Sequence, residues 1–471
     1  MPHSSYLRTS TTRRPGSVAA LLASVTLATS LAVGCSPSGE QSSPPAELSP
    51  AADAESRGEQ DGRRRPKGRF RKFRSNRDAD GLTAEQREEI ARLEAIGYVS
   101  GSVEAGSASG VTRHDASRAV PGLNLYSSGH AGEAILVDMD GGALHRWRYS
   151  KDDVFPEAPA VNLTQNDFWR RVHLFENGDL LAVIEGIGIF KLDADSNLLW
   201  ANAAKVHHDL EVMPSGEIYV LTREAHLVPR VRTDGPVLED FISILDAQGR
   251  EQRRFSLIEA FERSNFQSLV EGDPDEVRDS WLERKREIGD VFHTNTLAVL
   301  DGSVRIDHPA FVEGNILVSL RVPDVVAVVD PREERVVWAL GGDFRRQHDP
   351  KLVSNGNLML FDNLGLGSQS RVTELDPASG EVRWEFRGSP EWPFLSESCG
   401  TAERLPGGTT LITESDGGRA FEVTREGDVV WEFLNPHRAG DRGEYIATLF
   451  EMQRLPADFP IGWAHGGGMD H

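Results

Sequence analysis

One pattern recurs six times between Leu136 and Trp431. An aspartate or threonine is followed by a short polar or glycine turn, then by a run ending in an aromatic residue. The copies are LVDMDGGALHRW, KLDADSNLLW, ILDAQGREQRRF, VVDPREERVVW, ELDPASGEVRW and EVTREGDVVW, ending at Trp147, Trp200, Phe255, Trp338, Trp384 and Trp431. Aspartate or threonine with glycine between apolar runs is hairpin chemistry. Before most copies lies a second hairpin: ENGDLLAV, PSGEIYVL, VEGNILVSL, SNGNLMLF and PGGTTLIT. Four short strands per repeat is the signature of a β-propeller blade, and no helix recurs with the period as a helical solenoid would need. The expected fold is therefore all-β: a six-bladed β-propeller over residues 113–460. One blade would be assembled from both termini, because the first signature lacks a preceding hairpin and Tyr445–Leu455 reads as a strand pair with no signature after it. Joining them removes an exposed sheet edge. The one long gap between signatures, Phe255 to Trp338, holds a charged, helix-prone insertion over residues 257–290, expected on a rim.

The first 112 residues read differently. Arg13 and Arg14 precede a short apolar stretch, Val18 to Val33, which ends in Leu-Ala-Val-Gly-Cys35. That is a secretory signal over residues 1–34 with a lipoprotein-type cleavage before Cys35, although Ala32 stands three places before the cysteine where leucine is usual. Residues 35–112 then form a lipid-anchored, disordered tether, poor in large apolar residues and interrupted by a short helix. Thr83 and Gln86 fit a capping box for that helix, with Ile90, Leu93 and Ile96 on one face. The expected location is the periplasm or cell surface. With Cys35 lipidated, Cys399 has no partner for a disulfide.

Charge excludes one class of partner. Arg63–Arg77 carries nine basic residues and no acidic one; taking those nine charges from a net of −22 leaves −31 on the remainder. So acidic a body argues against nucleic acid.

Four histidines open strand-like segments: His173, His208, His293 and His348. Equivalent strands of a closed ring face one axis, so these imidazoles are expected to converge. A single histidine at such a place is commonly a structural hydrogen-bonding residue; four in register point to chemistry. Arg321 follows the strand ILVSL, where a guanidinium needs an anion or a carboxylate such as Asp324.

The pieces HHDLEVMPSG, DVFHTNTLAVL, SLRVPDVVAVVD with VVWALGG, and RRQHDPKLVSNGNLMLFDN resemble the bacterial arylsulfate sulfotransferases, over roughly residues 120–455. The resemblance implies transfer of a sulfuryl group from an aryl sulfate to a phenol without a nucleotide sulfate donor. It makes His348 the nucleophile that becomes sulfated, and His293, Arg321 and His208 its catalytic partners. Asn295 and His173 are expected to bind substrate. His207 remains a rival to His208 within HHD. Well-known members carry an N-terminal β-sandwich and a disulfide, and no counterpart of either is read here. No GxxxxGK phosphate loop occurs, and no metal or cofactor is expected. Two other classes stay open: a quinone-cofactor dehydrogenase propeller, and a non-catalytic lipoprotein propeller that binds a partner.

Overall fold

The aspartate that heads five of the six signatures folds its own hairpin. Asp138 Oδ1 accepts the backbone N–H groups of Asp140 (2.9 Å) and Gly142 (2.7 Å), and Asp193 Oδ1 those of Asp195 (2.9 Å) and Asn197 (2.8 Å). Asp246 repeats the arrangement with Gln248 and Arg250, and Asp330 and Asp376 cap their turns similarly. This is why a short polar acceptor heads the turn. The computed structural model describes residues 82–94, 99–158, 167–271 and 289–464.

Six larger antiparallel sheets result. Four begin with the leading strands Arg171–Leu174, Val206–Val212, Thr294–Val299 and His348–Leu352, each followed by its three partners in chain order. The fifth begins at Thr401–Arg404 and gains Gly110–His114 as an outermost fifth strand. In the sixth, Leu449–Pro456 pairs with Gly122–Ser128, followed by Glu133–Val137 and Ala143–Arg148. The all-β, four-strand repeat is thus what the chain folds into, and each signature forms the third and fourth strands of a sheet.

Both halves of a signature hold neighbouring sheets together. The Trp147 indole N–H donates to Gly178 O (3.0 Å), that of Trp384 to Arg425 O (2.8 Å) and that of Trp431 to Met139 O (2.9 Å). Each acceptor lies in a hairpin turn of the next sheet. Trp147 and Trp431 are fully buried, so truncating either to alanine costs about 3–5 kcal/mol. The apolar core is correspondingly divided. One cluster lies between the sheets led by His173 and His208 (Val183 against Val220), another between the fifth sheet and the terminal one (Trp431 against Ile135). Leading strands also bond to one another. Leu297 N–H donates to Asp209 Oδ2 (3.0 Å), Asp349 N–H to Thr296 Oγ1 (3.0 Å), Ala402 N–H to Asp349 Oδ2 (2.9 Å), and Gln453 Nε2 to Val172 O (3.0 Å). The aspartates after His208 and His348 are therefore staples between sheets.

Three expectations need adjustment. Tyr445–Leu455 is not a strand pair: Leu449–Pro456 is one long strand, while Tyr445–Ile446 joins a small sheet with Val103–Glu104 and Arg438–Ala439. The tether does not run to residue 112, since residues 103–104 and 110–114 are hydrogen-bonded into sheets. Gly/Ser-rich sequence concealed these strands because edge pairing rests on backbone groups rather than apolar side chains. At the other end, Trp463 lies past the expected boundary at 460 and packs on Trp147 at 5.4 Å. The short helix is Ala84–Glu94, with both capping-box bonds made: Thr83 N–H to Gln86 Oε1 (2.9 Å) and Gln86 N–H to Thr83 Oγ1 (3.1 Å). Its Ile90 packs on Ala225 and Leu238. The insertion forms helices Leu257–Glu262 and Gln267–Glu271. Among the described residues no helix is long and apolar enough to cross a membrane. The signal segment, Cys35 and the basic run lie outside the described residues.

Candidate active site

The leading strands at His208, His293 and His348 are bent at their heads. Pairing slips between His207 and Leu210, between Thr294 and Thr296, and between His348 and Lys351. Each slip leaves residues of the leading strand without an opposite number, which is a bulge. His208, His293 and Asp349 adopt left-handed backbone at φ 57°, 49° and 51°. Such conformations cost roughly 1–3 kcal/mol each in non-glycine residues and persist where surrounding structure holds them. Here the held groups are two imidazoles and the Asp349 carboxylate, which accepts the Ala402 N–H.

His208 and His293 meet edge to face, with centroids 5.0 Å apart. His293 Nδ1 lies 2.6 Å from the Asp290 carboxylate, so its Nδ1–H donates there. His207 and His208 share a hydrogen bond between their Nδ1 atoms (2.7 Å), and His208 N–H donates to Glu185 Oε2 (2.9 Å). Arg223 Nη1 sits 3.2 Å from the other oxygen of Glu185. His207 Nε2 faces Asp240 Oδ1 at 3.5 Å. HHD therefore contributes both imidazoles, His208 toward His293 and His207 toward Asp240.

His348 is buried at 2% exposure. Its Nδ1 has two acceptors at 2.8 Å, Arg346 O and Asn363 Oδ1. An imidazole nitrogen facing acceptors must carry the proton, so Nε2 is left with its lone pair. That Nε2 is buried and has no hydrogen-bond partner among the described residues. Burial first, then the Arg321 guanidinium, hold His348 well below the ordinary imidazole value, with Arg170 and His293 acting in the same direction. Burial does the same to His207 and His208. Burial pushes Glu185 up, and burial with the nearby Asp290 carboxylate pushes Asp240 up to about 7. His207, His208 and His348 are thus neutral imidazoles beside guanidinium charge, which suits an anionic, electrophilic group.

Arg321 is buried beside this array, its backbone N–H on His293 O (3.3 Å) and its Nη2 on Glu397 O (3.5 Å). Asp324 accepts the backbone N–H of Arg346 (2.6 Å). Asn295 lies between strand heads, with its Nδ2 donating to Gln347 O (2.8 Å), and so positions the residue before His348. His173 is the exception. Its strand runs without a slip, and its ring packs on Phe175 at 4.8 Å. It borders a separate cavity of about 270 Å³ with Glu211, Lys351 and Gln453. Burial, aided by Lys191, holds it down at about 4.

Sequence reasoning passed over Asp290, Glu185, Arg170 and Asn363. Asp290 was findable three places before His293, and Asn363 directly follows the strand Leu358–Asp362 that pairs with the His348 strand. Arg170 and Glu185 carried no signal. Among the described residues two clusters have metal-ligand composition, Glu185–His207–His208 and His130–Glu133–His437. Both are already matched by the protein: Glu185 by Arg223, and Glu133 by Arg148 and His130.

A family model described as arylsulfotransferase (ASST) matches residues 171–436, which hold the bent strand heads at His208, His293 and His348. No curated protein matches the sequence. Among solved structures, the chain is similar to a protein of unknown function from Bacteroides caccae, at 13% identity over 70% of this chain and 97% of that one, TM-score 0.43. It is also similar to the Cps50 (Swd1) β-propeller domain of Myceliophteria thermophila, at 13% over 72% and 90%, TM-score 0.38. A third likeness is to virginiamycin B lyase from Staphylococcus aureus, at 12% over 56% and 69%, TM-score 0.33. At these values the structural likenesses carry no argument.

Proposed function

Because the chain belongs to the arylsulfotransferase (ASST) family, we propose that it moves a sulfuryl group from an aryl sulfate to a phenol through a sulfohistidine at His348, with no nucleotide donor. The observation that carries this reading is the buried Nε2 of His348, deprotonated by its own hydrogen bonding and facing guanidinium charge. In the first half-reaction Nε2 attacks sulfur in line as the S–O bond to the aryl group breaks. In the second, a phenol oxygen attacks the same sulfur and the N–S bond breaks. Two transfers of low barrier replace one of high barrier. Arg321 and His208 hold the equatorial oxygens as charge spreads over them. His293, with its Nδ1 on Asp290, hands a proton to the departing phenolate and recovers one from the incoming phenol.

The scaffold fits that role. We read the six sheets as blades of a closed six-bladed propeller, with Leu449–Pro456 and Gly122–Ser128 as the closing pair; bonds between successive leading strands and the divided core support it. The leader ending at Cys35 supports a lipid anchor and a periplasmic or cell-surface site of action. The test is direct: purified protein with a chromogenic aryl sulfate and a phenol acceptor. Release of the chromophore that depends on the acceptor, with an aryl sulfate as second product, is expected. Release unaffected by acceptor, or none with any aryl sulfate, would overturn the proposal.

A further inference from the structure

We infer that the two central histidines are sorted into nucleophile and proton carrier by the partner each holds on Nδ1, and that Asn363 is the positioning residue that makes His348 the nucleophile; this rests on the sulfuryl-transfer reading above. His293 Nδ1 faces a carboxylate, Asp290 Oδ2 at 2.6 Å. His348 Nδ1 faces only neutral oxygens, Asn363 Oδ1 and Arg346 O, both at 2.8 Å. An anionic partner stabilises imidazolium, and a neutral one does so far less. A proton carrier must pass through imidazolium on every cycle. A nucleophile is useless as imidazolium.

The amide of Asn363 cannot present its nitrogen to the ring. Its Nδ2 donates to Ser396 O and Cys399 O, both at 2.7 Å, and a flipped amide would set Oδ1 against two carbonyl oxygens. Those carbonyls are themselves fixed. Ser370 Oγ donates to Ser396 O (3.2 Å), and Cys399 holds left-handed backbone at φ 55°. Arg346, also at φ 55°, turns its carbonyl back onto the ring. The charged and titratable groups acting on His348 are Arg321, Arg170 and His293, and all three oppose a positive ring.

The consequence falls on the intermediate. Nδ1 keeps its proton throughout. When the Nε2–S bond forms and the aryl oxygen leaves with its electron pair, the sulfated ring is cationic and has only neutral acceptors. Such a ring is a strong sulfuryl donor. In the second half-reaction the acceptor oxygen takes the sulfuryl group, the N–S electron pair returns to Nε2, and the acceptor's proton goes to His293. A carboxylate at position 363 would stabilise the sulfated cation and slow that return.

Asn363→Asp tests this, with rapid-quench measurement of each half-reaction between about pH 6 and 10. The second oxygen of the new carboxyl faces two carbonyls, so it ionises late and its effect grows with pH. The expected result is a first half-reaction within about threefold of the parent and a second slowed at least about tenfold at the alkaline end. Sulfated protein would then accumulate during turnover. Half-reactions equal to the parent's across the range would overturn the assignment. Nitrogen-15 NMR of the unsubstituted protein reads the same claim without a variant: Nδ1–H on His348 is expected, and Nε2–H would refute it. If aryl sulfates never label the protein, the sulfuryl-transfer reading fails, while the NMR result still decides whether Asn363 sets the ring.

Discussion

The strand head at His173 and those at His208, His293 and His348 look alike in sequence but differ in backbone. The first pairs residue for residue with its neighbour. The other three slip. Two sheets whose leading strand pairs without a slip, those led by Arg171–Leu174 and Thr401–Arg404, give the site none of its histidines. The slip turns a side chain out of the regular alternation of a strand, and left-handed backbone at His208 and His293 completes the turn. A repeat can thus place equivalent residues in equivalent strands and still bring only the bent copies together. The terminal sheet's leading strand also slips, between Leu449 and Glu451, but no histidine sits there.

Substitutions sharpen this contrast, the strongest at the most central bent head. His348→Asn should abolish phenol release, by at least about 10³-fold, because no other buried nitrogen replaces the nucleophile. Stopped-flow with a chromogenic donor reads it. His293→Asn should cost about 10²–10⁴-fold with a poor leaving group and much less with an activated nitrophenol, where less protonation is needed. A loss independent of leaving group would remove His293 from proton transfer. Arg321→Ala should cost about 10²–10³-fold with every donor alike, since it acts on the transferred group. A donor-dependent loss would place it against the aryl ring instead.

The straight head should behave oppositely. His173→Asn should leave turnover within about twofold, and a loss comparable to that of Arg321→Ala would break the comparison. It should, however, change acid stability. His173 and His437 are held at about 4, chiefly by burial, whereas unfolded histidine titrates near 6.5. Between those values the unfolded chain binds more protons. The stabilisation is therefore complete above about pH 6.5 and is lost as pH falls toward 4, on the order of 2 kcal/mol for each group. Urea midpoints across that window should fall in the parent and fall less in His173→Asn.

What was legible in the sequence follows the same division. The signatures were readable because a capped hairpin and a closing aromatic residue are local demands repeated six times, with threonine for aspartate in one copy and phenylalanine for tryptophan in another. The motifs singled out His208, His293, His348 and Arg321, which the structure brings close to one another. The bulges were not readable, because a slip depends on what the neighbouring strand offers: Asp209 reaching Leu297, Thr296 reaching Asp349. The Nδ1 partners left only a faint trace, Asp290 three places before His293 and Asn363 just after the strand Leu358–Asp362, and their role shows only through distance.

The central claim is that His348 carries the sulfuryl group. Protein quenched after mixing with an aryl sulfate and no acceptor, then digested for mass spectrometry, addresses it most directly. The prediction is a single sulfuryl adduct on the peptide containing His348, lost when phenol is added before the quench. An adduct on any other residue, or one that survives phenol, would contradict it.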